Sequence, residues 1–185
     1  MSLLNSSCEY NLTKTKDKYP LSLVEVKRHL RVDPDFIDDD NYLDGLIVAA
    51  TTLAENYINK DIAYTLNELK IHDFYSDYVQ IYEGNFASVL DVYNENDVST
   101  GTIDYTNNYN NSFQITWTAP IEGDPLTIKF YTGFNDYTCP ALLKQAILIK
   151  LADLYDSARA DYNWQGLTDN KVFETILNYY VALRF

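Results

Sequence analysis

The groups in this 185-residue chain that could do chemistry are few: His29, His72, Cys8, Cys139 and a run of carboxylates from Asp33 to Asp40. Nucleophilic catalysis needs a base beside a nucleophile, usually with a third group to orient the base. His29 sits next to the apolar stripe of a predicted helix, and His72 stands in a predicted strand among charged residues. No G-x-S-x-G turn accompanies either. Both read as structural. Metal binding is no better served, because C-x-x-C, H-x-x-x-H and H-E-x-x-H spacings are all absent. The run Asp33-Pro34-Asp35-Phe36-Ile37-Asp38-Asp39-Asp40 fails as a calcium loop: Asp38 stands where such a loop needs Gly, and Asp44 where it needs Glu. It reads instead as an N-cap, with carboxylates near the positive end of the next helix dipole. Six glycines provide no phosphate-cradling loop. The sequence thus points to no catalytic set, no cofactor and no metal, and to a protein that is not an enzyme.

Composition narrows the partners. With 14 basic against 27 acidic side chains, the formal charge is −13. Affinity for nucleic acid rests mainly on Lys and Arg displacing counterions, so specific DNA binding is not expected. Lys14, Lys16 and Lys18 form the one dense basic cluster and read as part of a solvated tail. No apolar run approaches the roughly 18 residues that cross a bilayer. The opening Met1-Ser2-Leu3-Leu4-Asn5 lacks the basic and apolar regions of a signal peptide, and two cysteines are too few for a disulfide framework. A soluble cytoplasmic protein with no membrane contact is the expectation. Seventeen tyrosines suit half-buried strands and protein interfaces, since each ring is apolar with a wet end.

The elements that must position these groups follow from periodicity. Residues 1–19 show none and are expected to form a mobile arm. Ser22-Leu23-Val24-Glu25 is a capping box, opening a short helix at about 22–31 that Pro34 ends. Leu43, Leu46, Ile47, Ala50, Leu53, Ala54, Tyr57 and Ile58 keep to one stripe of a helix over about 40–58, with Asn59 as a left-handed stop. From 64 to 135 the period becomes two. Candidate strands are Thr65–Phe74, Tyr78–Tyr82, Ser88–Tyr93, Thr102–Tyr105, Ser112–Trp117 and Leu126–Tyr131, with turn residues between them. Pro140 then starts a long helix with Leu143, Ile147, Leu148, Leu151, Leu154, Tyr155 and Ala158 inward. A last helix over about 169–183 turns Val172, Phe173, Ile176, Leu177 and Tyr180 inward. The predicted fold class is α+β: a four-helix, mainly α bundle with an antiparallel β insertion between the second and third helices. The predicted organisation is a 1–19 arm, a helical core from 20–62 and 137–185, and an inserted β sub-domain at 63–136.

Two segments carry a resemblance to a known family. Leu21-Ser22-Leu23-Val24-Glu25-Val26-Lys27-Arg28-His29-Leu30-Arg31-Val32-Asp33, the acidic run, and the helix through Glu55-Asn56-Tyr57-Ile58 resemble the opening of tailed-phage head–tail connector proteins. Phe130-Tyr131-Thr132-Gly133-Phe134 followed by Pro140-Ala141-Leu142-Leu143-Lys144-Gln145-Ala146-Ile147 is similar to that family's strand-to-helix passage. Leu154-Tyr155-Asp156-Ser157-Ala158-Arg159 matches the end of its long helix. The resemblance implies a neck adaptor or head-completion subunit. Such a subunit stacks as a ring, as a rule twelvefold, beneath the portal protein and docks the next neck or tail-completion component. DNA passes through the lumen without specific binding. It also implies a place in the virion neck, reached from the bacterial host cytoplasm during assembly. Candidate protein-interface residues are Arg159, Tyr162, Trp164 and Tyr109. The rival reading is a monomeric carbohydrate- or protein-binding β module with an exposed aromatic face.

Overall fold

The computed structural model describes residues 9–94, 96, 98–100, 104–108, 112–159 and 171–181, with the backbone alone at 107–108 and 156–159. In chain order its elements are β1 (Tyr10–Lys18), α1 (Leu23–Leu30), α2 (Asp40–Ile58), β2 (Tyr64–Ile71), β3 (Phe74–Ile81), β4 (Phe86–Tyr93), β5 (Asp104–Asn108), β6 (Ser112–Gly123), β7 (Leu126–Thr132), α3 (Ala141–Arg159) and α4 (Lys171–Leu177). They divide into two compact units: Met1–Asp17 with Tyr64–Gly133, and Lys18–Ala63 with Phe134–Phe185.

The expected mainly α four-helix bundle with an insert is corrected by this architecture. Strand residues outnumber helix residues among those described, and the seven strands form two sheets with a core of their own. Two of the four helices are short: α1 has 8 residues and α4 has 7. Helices of that length are marginal alone and hold only through packing, so a bundle does not dominate the chain.

The strand unit contains a four-stranded sheet in the order β1-β2-β7-β4 and a three-stranded sheet in the order β3-β6-β5. β7 runs antiparallel to both neighbours, with Leu69 opposite Ile128 on one side and Val92 opposite Ile128 on the other. Alternation selects the inner faces: Thr65, Asn67, Leu69 and Ile71 of β2 are buried, as are Leu126, Ile128, Phe130 and Thr132 of β7. Leu69, Ile71, Leu126, Ile128 and Phe130 meet Phe74, Val79 and Ile81 of β3 and Phe113 and Ile115 of β6 in one apolar cluster, so each sheet covers the other's inner face. Phe113 lies at the centre, stacked on Phe86 at 4.1 Å and edge-on to Phe130 at 5.1 Å.

A second difference concerns the N-terminal segment. Tyr10–Lys18, read as part of a mobile arm, forms edge strand β1 beside β2. Beyond Tyr10 and Leu12 its side chains are exposed, so no period marks it. Pairing with β2 makes it a strand, and the His72 amide extends the contact by donating to Glu9 O at 2.9 Å.

In the helical unit, Leu43, Ile47, Ala50, Ala54 and Ile58 of α2 bury against Leu143, Ala146, Ile147 and Leu151 of α3, joined by Val26, Phe173, Ile176 and Leu177. Leu53 and Val172, expected inward, are exposed. α2 ends at Asn59, left-handed at φ 56°.

Candidate functional site

Among the reactive side chains, Cys8 lies outside the described residues. His29 is exposed on α1. His72, at the β2–β3 turn, places Nδ1 2.8 Å from Asp124 Oδ1, with 39% of the imidazole and 58% of the carboxylate exposed. That is a solvated surface pair, not a desolvated base held for proton transfer. Cys139 is buried, and burial pushes its thiol up to about 12, so it stays protonated at neutral pH and is a poor nucleophile. Among the described residues no three of His, Cys, Asp and Glu gather into a group able to hold a metal, and no helix is long and apolar enough to cross a membrane.

Several polar residues of the two segments singled out from the sequence hold the fold together. Ser22 Oγ accepts from the Glu25 amide at 3.3 Å, and the Glu25 carboxylate accepts from the Ser22 amide at 3.1 Å, closing the capping box. The second Glu25 oxygen takes the Lys144 ammonium of α3 at 2.8 Å, a bridge spanning 119 positions of sequence. Burial alone raises the Glu25 carboxyl's pKa; the Lys144 and Ser22 contacts outweigh it and hold the group below its ordinary value. Lys27 is buried, and its ammonium donates to Phe36 O at 2.8 Å and Pro34 O at 3.2 Å while standing 2.6 Å from Asp40 Oδ1. The last contact is an ion pair by proximity and not by hydrogen-bond angle. Lys27 thereby folds the acidic run back onto α1. Asp39 takes the N-cap place of α2 without a side-chain cap bond.

The Glu55-Asn56-Tyr57 segment works the same way. Glu55 is buried on α2 and accepts from the amides of Ile62 and Ala63, each at 2.9 Å, fixing the chain as it leaves the helix. Tyr57 donates to Asn178 Oδ1 at 2.9 Å and meets Phe173 edge-on at 6.3 Å, which docks α4. At the other passage Gly133 adopts φ 80° and donates to Asn85 O at 2.8 Å, a conformation that favours glycine. Phe134 then donates to Ile62 O at 2.8 Å.

Of the candidate interface residues, Tyr109, Tyr162 and Trp164 lie outside the described residues, and Arg159 ends α3 with its side chain outside them too. Apolar surface missed from sequence includes Tyr42, Val48 and Leu53 on α2, Phe36 and Ile37 in the acidic run, and Tyr75, Tyr78 and Tyr82 on or just after β3. A gap in the helical stripe at Val48 was the one available signal on α2.

The fold is shared with chains of assembled particles. A chain in the neck of an empty GTA particle computed with C6 symmetry matches with a TM-score of 0.68 at 18% identity, covering 94% of this chain and 97% of that one. A chain in the virion of a native gene transfer agent particle gives 0.68 at 18%, covering 94% and 96%. One in the neck of the native GTA particle computed with C12 symmetry gives 0.68 at 16%, covering 94% and 97%. No sequence among the curated proteins matches significantly. The model of the phage gp6-like head-tail connector proteins matches residues 20–124, which hold α1, the acidic run, α2 and most of the strand unit. Spanning more than half of the sequence, that match places the chain in the phage gp6-like head-tail connector protein family.

Proposed function

We propose that the chain is a structural subunit of a phage-type particle neck, acting by assembly into a ring and without covalent chemistry. The observation that carries this reading is family membership over residues 20–124, joined to a fold shared along 94% of the chain with particles computed with C6 and C12 symmetry. A twelvefold ring beneath the portal, docking the next neck or tail-completion component, fits both. Head-to-tail contacts close into such a ring when their rotation matches the symmetry. The formal charge of −13 suits a lumen that repels DNA and lets it slide. Assembly takes place in the host cytoplasm, and the particle neck is the final location. Arg159, Tyr162, Trp164 and Tyr109 are proposed contacts to neighbouring proteins.

Mass photometry and negative-stain microscopy of the full chain, concentrated or mixed with the portal protein of its own particle, test the proposal. Closed rings are expected. A monomer under every condition, binding an oligosaccharide through exposed tyrosines, is the outcome of the rival module reading and would overturn the connector one.

A further inference from the structure

Helix α2 presents two unlike faces. Leu43, Ile47, Ala50, Ala54 and Ile58 are buried in the helical core. Tyr42, Val48, Ala49 and Leu53 are exposed, Val48 and Leu53 at 41% each. Gly45 is exposed too, and a Cβ placed on it meets nothing within 4 Å. Glycine inside a helix is disfavoured relative to alanine. Its backbone is not left-handed, so neither conformation nor crowding inside the described chain requires it. What a missing side chain permits at an open position is close approach by another backbone.

Charge says which neighbour. Residues 45–54, between Asp44 and Glu55, carry no charged side chain, although the whole chain has a formal charge of −13. Two identical copies repel each other overall, so their contact is least costly where neither brings carboxylates. A neck protein of different composition could instead meet the acidic surface with basic residues and has no need of an uncharged one. Exposed aliphatic side chains at the centre of that stretch supply the apolar area a lasting contact buries.

We propose that the outward face of α2, centred on Gly45, Val48 and Ala49, seats a second copy of this chain, its neighbour around the ring. The inference rests on the ring reading given above and adds the contact face to it. The test uses the full chain with Val48→Asp, which puts a carboxylate into the face, and with Gly45→Leu, which fills the gap. Circular dichroism and thermal unfolding check the fold, which both exposed positions tolerate. Each variant is expected to raise the concentration for half-assembly by roughly tenfold or more. A photocrosslinker at position 48 in wild-type-like rings is expected to join two copies of this chain. Rings unaffected by both substitutions, or a crosslink from position 48 to a different protein, would overturn the proposal while leaving the connector reading intact. Absence of wild-type rings both in solution and in particles would defeat the connector reading, and this inference with it.

Discussion

Lys27 places an ammonium where 6% of its side chain reaches solvent, and it spends that charge on Pro34 O, Phe36 O and Asp40. Lys27→Met keeps most of the volume but leaves the carboxylate and two carbonyls without their cation. Because Asp40 is itself 30% exposed, water recovers part of the loss. A destabilisation of about 2 kcal/mol is expected, read as a lower urea midpoint. Glu25 behaves differently because its pKa is depressed in the folded chain. A depressed carboxyl contributes stability that is complete above its unfolded pKa of about 4.3 and is lost as pH falls through the folded value. Glu25→Gln should therefore unfold more easily than wild type at pH 7, with the difference shrinking towards pH 3. A gap that stays constant over that range would show that the Lys144 bridge does not set the pKa. None of these roles was legible from spacing alone. The capping box was, because Ser22 and Glu25 act within one helical turn; the Glu25–Lys144 bridge was not, because it joins positions 119 apart.

Among the elements, β7 organises the strand unit, pairing with β2 on one side and β4 on the other. Phe130 at its centre is fully buried against Phe113. Phe130→Ala is expected to cost about 3–5 kcal/mol, with amides of β2, β4 and β7 losing protection together in hydrogen exchange. β1 makes a narrower case. Deleting residues 1–18 removes the acceptor of the His72 amide, so exchange at His72 and along the freed edge of β2 should accelerate. Unchanged exchange there would mean that β1 is not paired in solution. The strands also show why element boundaries blurred. Thr65–Phe74 read as one strand because no Gly or Asn marks the break between β2 and β3; Asp73 makes that turn instead, with φ 52°. β6 runs on to Gly123, past the predicted end at Trp117, with a register shift opposite β3 between Ser76 and Tyr78. Such irregularities belong to the pairing and leave little trace in one strand's pattern. α2 was clear throughout, since Leu43, Ile47, Ala50, Ala54 and Ile58 repeat at helical spacing.

At the scale of the whole molecule, several polar residues of the family segments, Ser22, Glu25, Lys27, Glu55 and Tyr57 among them, hold the fold together. The helices and the β segment were legible one by one, but not the weight of the strands or their arrangement in two sheets. Periodicity reports which residues turn inward and not how strands pair, so a mainly α bundle with a β insertion was expected where the described strands outnumber the helices in residues and form two sheets. Membership of the head-tail connector family was legible through a resemblance carried by the residues of Leu21–Asp33 and of the strand-to-helix passage, and the family match covers the first of these. The most direct test of the account is a cryo-EM reconstruction of the particle that carries this chain, refined without imposed symmetry through the neck. A closed ring of copies of this chain between portal and tail is the expected result. A neck in which the chain is absent, or is bound as a single copy, would contradict it.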